Sequence, residues 1–310
     1  MKILITGVGG QIGLHLLESG IFENHIVYGL TSKSSFKSNI EVIPHIWGKK
    51  FNSSVPEVDV VIHLSAQTSA YEASENLSRN IKSNELFLVE LVEKIKRLKS
   101  PVTFISFGSI TEHGLKKRIN EKSEMNPMTF YDVAKCNENL YLRQMFREKW
   151  IYGNIRCRLA NIYGSGNTPS SQDRSFVDSS IKKAINGEAL NYYGSGKYLR
   201  DYLHIQDLTM AVQSMINLVP IHQQCNLTLA TGKSYTVKNM LETVSKYVST
   251  YTGKKVNLER REFPPKSYEI ERRSVCVNND RTKRFLSWEP KISMSKGIEA
   301  TVRNQLSHVE

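Results

Sequence analysis

The sequence predicts an α/β fold in which a doubly wound parallel sheet is followed by a smaller C-terminal lobe. Through the first half of the 310 residues, short apolar runs alternate with amphipathic stretches, which is the pattern of parallel strands joined by crossover helices. After about residue 163 the chain contains more loop signals and shorter periodic segments. Five strands are expected, at residues 2–6, 26–30, 58–64, 102–107 and 155–161.

This pattern predicts two regions. Residues 1–163 are expected to form the domain with the parallel sheet, and a later strand near residues 224–230 is expected to return to it. Residues 164–310 are expected to form mainly the second lobe.

Between the third and fourth strands, apolar spacing predicts a helix with one buried face. The positions that recur at three- and four-residue intervals are Ile81, Asn84, Leu88, Leu91, Ile95 and Leu98. A buried amide must find hydrogen-bond partners. Asn84 is therefore either a structural tie to the backbone or part of a functional site.

The composition excludes several classes of protein. Hydrophobic residues make up 40% and charged residues 23% of the chain, which is ordinary for a soluble globular enzyme and excludes collagen, coiled coil and disorder. No apolar run reaches the length of a membrane span, and Met1 leads directly into a strand-like segment rather than a signal peptide. We therefore expect a cytoplasmic protein without a membrane partner.

The formal net charge is +12 and the isoelectric point is near 9.4. The basic residues are scattered, and no aromatic-interleaved motif of a nucleic-acid binder accompanies them. The excess charge therefore indicates either a solvated basic surface or a site for polyanionic small molecules, and no nucleic-acid partner is expected.

The four cysteines are widely spaced and form no CxxC pair or Cys/His cluster. They are Cys136, Cys157, Cys225 and Cys276. This spacing predicts neither a disulfide framework nor a metal site.

A glycine-rich turn follows the first predicted strand and precedes an amphipathic helix. It reads TGVGGQIG over residues 6–13. Gly7 permits a tight turn, Gly10 permits close approach of the backbone to a pyrophosphate, and Gly13 permits close contact between helix and strand. Because the amino end of the helix offers N–H groups to phosphates, the turn predicts a bound dinucleotide and a Rossmann-type sheet.

The end of the second strand bears on which dinucleotide binds. In such folds an acidic residue there usually contacts the adenosine ribose of NAD. This chain has Thr31, Ser32 and Lys33 instead, and hydroxyls with a lysine suit a 2′-phosphate. NADP(H) is therefore favoured and NAD(H) remains possible, although Lys33 could equally be solvated.

A second motif, Tyr131-Asp132-Val133-Ala134-Lys135, places a phenol and an ammonium four residues apart. On a helix these positions share a face. A neighbouring lysine and a positive nicotinamide ring both favour the phenolate, which would make Tyr131 a proton-transfer group near neutral pH. The preceding strand ends in Phe107-Gly108-Ser109.

With these motifs in this order, the chain resembles the extended short-chain dehydrogenase/reductase family, in its nucleotide-sugar epimerase, dehydratase and reductase branch. The resemblance covers nearly the whole chain and rests on TGVGGQIG, DVVIHLSAQTS at residues 59–69, Asn84, FISFGSITEHG, YDVAK, RLANIYG at 158–164, RDYLHIQDL at 200–208 and FLSWEPKISMSKGI at 285–298.

The resemblance implies roles for individual residues. Ser109, Tyr131 and Lys135 would form the catalytic group, with Ser106 as the alternative serine. The cofactor contacts would include Gly7, Gly10, Gln11, Ile12, Gly13, Thr31, Ser32, Lys33, Leu64, Ala66, Asn84, Tyr131 and Lys135.

By the same resemblance, the second lobe would bind a nucleotide-sugar and the protein would form a homodimer. Asn161 would contact the phosphate or sugar, Arg200 would pair with a diphosphate oxygen, and Arg260 or Arg261 would add a basic contact, with Arg261 preferred. Ser109 would also contact the substrate.

The sequence leaves more than one function open. The Thr-Asp-Glu triplet of 4,6-dehydratases is replaced by Ser109-Ile110-Thr111, so the acid and base for dehydration are missing. A 4-ketoreductase of a nucleotide-linked hexose or deoxyhexose would consume NADPH, whereas a 4-epimerase would keep its NAD. The missing acidic residue after the second strand favours the reductase. A non-catalytic dinucleotide sensor is a third alternative, which the Tyr131 and Lys135 pair argues against.

Overall fold

The protein is described from a computed structural model. It describes residues 1–32, 36, 38–46, 49–164 and 175–307. Within these ranges the strands are β1 (Lys2–Thr6), β2 (Ile26–Thr31), β3 (Glu41–Pro44), β4 (Val60–His63), β5 (Thr103–Ser109), β6 (Arg118–Ile119), β7 (Gly153–Leu159), β8 (Asn161–Tyr163), β9 (Leu190–Tyr193), β10 (Leu199–His204), β11 (Gln224–Leu229), β12 (Ser234–Thr236), β13 (Leu258–Arg261) and β14 (Cys276–Val277).

The α-helices in the same ranges are α1 (Gln11–Glu18), α2 (Ala70–Glu75), α3 (Leu77–Ile81), α4 (Phe87–Ile95), α5 (Phe130–Arg147), α6 (Phe176–Ile185), α7 (Ile205–Asn217), α8 (Val237–Thr252), α9 (Asp280–Leu286) and α10 (Met294–Leu306). A π-helix covers Lys82–Leu86, and 3₁₀-helices cover Ile110–His113 and Glu269–Arg272.

The chain divides into two compact units. The first comprises Met1–Gly114, Glu124–Leu159 and Val212–Leu227, and the second comprises Leu115–Ser123, Ala160–Ala211 and Thr228–Glu310. The chain therefore changes unit between residues 159 and 160. The segment Leu115–Ser123 also belongs to the second unit, although it lies in the sequence between two segments of the first.

A mostly parallel sheet of seven strands forms the first unit, in the order β11-β7-β5-β4-β1-β2-β3. The pairs from β7 through β3 are parallel. The predicted doubly wound, Rossmann-type fold is thus confirmed. Since parallel strands end at one edge of a sheet, the carboxyl ends of β1, β4 and β5 place Thr6, His63 and Ser109 along the same edge.

The core of the first unit lies between this sheet and its helices. Its strands are buried along almost their whole length, as in β4 and β5, which is expected of parallel strands covered on both faces. The side chains packed there include Leu4, Phe51, Phe87, Leu91 and Phe104.

The predicted helix around Asn84 is interrupted by the π-helix. Asn84, Leu88, Leu91 and Ile95 are buried as predicted, but Ile81 is 41% exposed and Asn80 is buried in its place. The wider turn of a π-helix holds an extra residue, so the buried face shifts by one position before it. The expectation that Ile81 lies on the buried face was therefore wrong.

The fifth predicted strand also divides in two. β7 ends at Leu159, and Asn161 begins β8, which belongs to the second unit. There β8 pairs in parallel with β10, and β10 pairs antiparallel with β12. The core of this unit includes Tyr163, Ile181 and Leu241.

Cys136, Cys157 and Cys225 are buried and Cys276 is exposed, and all four are free thiols. In the described part of the chain, none of the helices has the length and apolar character needed to cross a membrane. The same residues contain no group of His, Cys, Asp or Glu that could hold a metal ion.

Candidate active site

The glycine turn between β1 and α1 is shaped by close backbone approaches. Gly7 has φ +68°, and a Cβ there would lie 2.8 Å from the Ser65 Cα. A Cβ on Gly13 would lie 2.6 Å from the Val8 carbonyl oxygen, whereas one on Gly10 would meet a single atom, the Gly7 oxygen at 3.1 Å. Gly10 caps α1. The turn therefore leaves room at Gly10 for a phosphate to approach the amino end of the helix, as a dinucleotide requires.

Gly13→Ala and Gly10→Ala are expected to separate packing from binding. The methyl group at residue 13 meets backbone at 2.6 Å, so Gly13→Ala should destabilise the protein by about 1–3 kcal/mol. Gly10→Ala should change the melting temperature less but weaken dinucleotide binding. Thermal unfolding and calorimetric titration with NAD measure the two effects. Equal losses of stability in both variants would contradict the assignment of packing to Gly13 and of binding to Gly10.

The other predicted cofactor contacts lie in the first unit. Gln11, Ile12, Leu64 and Ala66 are half-buried, Thr31 is buried and Ser32 is exposed. Lys33 lies outside the described residues.

Asn84 ties the loop after β4 to its own helix. Its Oδ1 accepts from the Gln67 backbone N–H at 2.7 Å, and its Nδ2 donates to the Gln67 carbonyl and to Asn80 Oδ1. Asn80 Nδ2 in turn donates to the Phe130 carbonyl at 3.2 Å. Of the two predicted alternatives, the structure shows the structural tie. The chain of amides links the loop after β4 to the start of α5.

Ser109 ends β5 and caps the 3₁₀-helix that follows. It is half-buried, and its Oγ lies 2.7 Å from Thr111 Oγ1. The alternative serine, Ser106, is fully buried and donates to Asn154 Oδ1 at 3.2 Å. Ser109 is therefore the more accessible of the two.

Tyr131 and Lys135 both lie on α5, which begins with a capping box formed by Thr129 and Asp132. Asp132 Oδ2 accepts from the Thr129 hydroxyl, and Asp132 Oδ1 accepts from Thr111 Oγ1 at 2.5 Å. Because Thr111 also contacts Ser109, this carboxylate connects the amino end of the Tyr131 helix to Ser109.

The pKa of Tyr131 is raised above its ordinary value rather than lowered. Burial raises it most, and the carboxylates of Glu138, Glu112 and Asp132 raise it further, while Arg156 lowers it. That Lys135 and a bound nicotinamide ring favour the phenolate stays a prediction. The Lys135 ammonium is bound by Glu138, at 2.9 Å from each carboxylate oxygen, so its positive charge is largely offset.

Sequence reasoning missed the charges around Lys135. Glu138, Glu112 and Arg156 are fully buried, and Arg158 is 3% exposed. Two signals were available: Glu138 follows Lys135 by three residues on a helix, and Arg156 and Arg158 occupy alternate positions in β7, a strand of the seven-stranded sheet.

In the second unit, Asn161 and Arg200 are held by backbone carbonyls. Asn161 Nδ2 donates to the Asp201 carbonyl at 2.8 Å. The Arg200 guanidinium is buried and donates to the carbonyls of Leu199, Glu271 and Arg273. Burial lowers the pKa of Arg200. These contacts fix the position of both side chains.

Arg261 is exposed on β13 and pairs with Glu259 at 2.5 Å. Arg273 is a further basic residue of the second unit, and its carbonyl accepts from Arg200. Burial raises the pKa of Tyr202, and the charges of Arg200 and Arg273 lower it, so both guanidinium groups act on this phenol. The Tyr202 hydroxyl is buried and has no hydrogen-bond partner among the described residues.

Comparison with known proteins identifies the family. The profile of the NAD dependent epimerase/dehydratase family matches residues 3–226. The chain belongs to this family. It is therefore an enzyme of the group that the sequence motifs resembled.

Individual relatives are distant but match almost the whole of this chain. The UDP-glucose 4-epimerase of Mycolicibacterium smegmatis is 24% identical, with 97% of each chain covered. UDP-glucuronic acid decarboxylase 1 of Danio rerio is also 24% identical, covering 97% of this chain and 72% of that protein.

Two solved structures share the fold. The Thermotoga maritima UDP-glucose 4-epimerase with UDP-glucose has a TM-score of 0.83 and 23% identity, with 100% of both chains covered. The Bacillus cereus UDP-glucuronic acid 4-epimerase with UDP-glucuronic acid and NAD has a TM-score of 0.81 and 18% identity, covering 99% of this chain and 100% of that one.

Proposed function

We propose that this enzyme is an NAD-dependent 4-epimerase of a nucleotide-sugar. The observation that carries the proposal is the full-length match, at 97% of each chain, to a UDP-glucose 4-epimerase. It is supported by Ser109 at the carboxyl end of β5 and by Tyr131 and Lys135 on α5, a helix whose amino end contacts Ser109 through Asp132 and Thr111. The sequence alone favoured a 4-ketoreductase, and the comparisons favour the epimerase alternative instead. Membership of an enzyme family also argues against a non-catalytic dinucleotide sensor.

The residues of the first unit divide the chemistry between them. Tyr131 would take the proton of the sugar C4 hydroxyl and later return it. Because its pKa is raised in the protein, this role requires that the positive nicotinamide ring of bound NAD favour the phenolate. Ser109 would donate a hydrogen bond to the same oxygen, and Lys135 would bind the ribose of the cofactor. A bound NAD supplies a hydride acceptor at C4 of its nicotinamide. The Gly7–Gly10–Gly13 turn holds the pyrophosphate.

Diphosphate binding is proposed for the second unit. Asn161 and Arg200 are held in fixed positions by carbonyl oxygens, and a pre-positioned guanidinium suits bidentate contact with a phosphate. The unpartnered Tyr202 hydroxyl would gain an acceptor from such a group. Arg261 remains a proposed further contact at the surface.

The proposal predicts that purified protein interconverts UDP-glucose and UDP-galactose without added cofactor, or does so with catalytic NAD. The same test applies to UDP-N-acetylglucosamine and UDP-glucuronic acid. Chromatography of the products and spectroscopic assay of NAD released on denaturation provide the measurements. Tyr131→Phe protein is the matched negative control.

One observation still favours the reductase as a second candidate. β2 ends at Thr31 and is followed by Ser32, and neither residue carries a charge that would repel a 2′-phosphate. A reductase would consume one NADPH for each molecule of 4-keto nucleotide-sugar that it reduces. Stoichiometric loss of NADPH absorbance, with no epimerisation in the cofactor-free assay, would overturn the epimerase proposal.

A further inference from the structure

A buried network of charges connects two of the proposed catalytic residues, Ser109 and Lys135, within the first unit. Lys135 Nζ lies 2.9 Å from Glu138, and Arg156 lies 3.4 Å from Glu138 and 3.0 Å from Glu112. Arg158 closes the network with a 2.8 Å contact to Glu112. The five side chains are between 0% and 6% exposed.

The network also binds the backbone at two catalytic residues. The Ser109 N–H donates to Glu112 Oε1 at 3.0 Å, and Arg156 Nη2 donates to the Lys135 carbonyl at 2.6 Å. A continuous series of contacts therefore runs from Ser109 through Glu112, Arg156 and Glu138 to the Lys135 ammonium.

Space around the network is tightly used. A Cβ on Gly108 would overlap Glu112 Oε1 and lie 2.7 Å from Arg156 Nη2. The residue before Ser109 must therefore be small for the two charges to meet. This packing restricts both charged groups to one arrangement.

Burying five charges has a large desolvation cost, and an apolar replacement of similar volume is often as stable. Stability alone is therefore a weak reason for such a network. Its contacts with Ser109 and Lys135 supply a better reason. The Glu138 carboxylate occupies two of the three ammonium hydrogens of Lys135, which leaves one for another partner.

We propose that Glu138 is a positioning residue that clamps the Lys135 ammonium, and that Glu112 and Arg156 extend this clamp to Ser109. The carboxylates also set the charge around Tyr131. This role rests on the proposed function in one respect, namely that Tyr131 is the proton-transfer group.

The charge environment follows from groups on every element packed around the network. They are Asp132, Lys135, Cys136 and Glu138 on α5, Glu85 on the π-helix, Glu112 on the 3₁₀-helix, Arg156 and Arg158 on β7, and His63 on β4. Burial, with Lys135 and Arg156, lowers the pKa of His63 to about 3, so His63 stays neutral. Among the carboxylates, Glu138 is the largest contributor to the raised pKa of Tyr131.

Glu138→Gln tests the proposal because it keeps the shape of the side chain and removes its charge. Loss of this charge should lower the pKa of Tyr131 by about one pH unit. The first readout is the tyrosinate absorbance of cofactor-free protein, with the Tyr131→Phe spectrum subtracted. The second is the pH profile of kcat/KM, whose rise with pH should move to lower pH by a similar amount.

The matched control is Glu148→Gln, an exposed glutamate just after the same helix, which should leave both readouts unchanged. If Glu138→Gln does not fold, Glu112→Gln should shift both readouts in the same direction. A lower melting temperature with unchanged titration and an unchanged pH profile would overturn the proposal and make the network purely structural. Because the titration needs no substrate, it distinguishes failure of this inference from failure of the epimerase proposal.

Discussion

Tyr131→Phe is expected to lower turnover of the nucleotide-sugar by about 10²- to 10⁴-fold, which is the usual contribution of a positioned proton-transfer group. The phenol is half-buried on α5, and Asp132 and Thr111 link its helix to Ser109. Removing one hydroxyl leaves this framework in place. The measurement is the initial rate of epimerisation at saturating substrate.

Binding and folding should be almost unaffected by this substitution. NAD affinity and the melting temperature of Tyr131→Phe are expected to stay close to those of the wild type. Tyr141→Phe is the matched control, because Tyr141 lies on the same helix and is 40% exposed. Full turnover by Tyr131→Phe would show that another group transfers the proton.

Arg156→Met is expected to destabilise the protein by about 3–5 kcal/mol, because it leaves the carboxylates of Glu112 and Glu138 buried with one partner fewer. Both carboxylates are fully buried, and Arg156 contacts each of them. Chemical and thermal unfolding measure the loss. Arg147→Met removes an exposed arginine from α5 and should change stability by less than about 0.5 kcal/mol.

Acid pH offers an independent check of this loss. Burial alone would raise the pKa of Glu112, but Arg156 and Arg158 outweigh it and hold the pKa below the ordinary value of 4.5. The carboxylate therefore stabilises the fold above pH 4.5, and this contribution is lost as the pH falls through the lower folded-state pKa. As the pH falls from 4.5 through the folded-state pKa of Glu112, the difference in melting temperature between wild type and Arg156→Met should become smaller. A constant difference would show that the ion pair is not the source of the stability.

The local elements of the first unit could be predicted because their signals are local. β1 spans the predicted residues 2–6, since an apolar run bounded by a glycine turn specifies a buried parallel strand. The positions of Gly7 and Gly13 could be predicted for the same reason, because the backbone there requires glycine. Gly7 has φ +68°, and a Cβ on Gly13 would lie 2.6 Å from the Val8 carbonyl oxygen.

The prediction failed where long-range contacts change the helical periodicity. Ile81 fits a continuous helix in sequence, but the π-helix at Lys82–Leu86 moves it to the surface and buries Asn80. The hydrogen bonds that Asn80 and Asn84 make to Phe130 and Gln67 come from distant segments. Helical periodicity carries no information about such partners.

The sequence by itself determined the parallel α/β sheet, the glycine turn and the candidate Ser109, Tyr131 and Lys135. Tertiary structure alone decided the electrostatic state of this group. Glu112, Glu138 and Arg156 meet Lys135 from a 3₁₀-helix, a helix and a strand that are separate in the chain. The pKa of an ionisable group depends on desolvation and on charges in space. Burial and three carboxylates therefore raise the pKa of Tyr131, and the spacing of Tyr131 and Lys135 in the sequence carries no information about those charges.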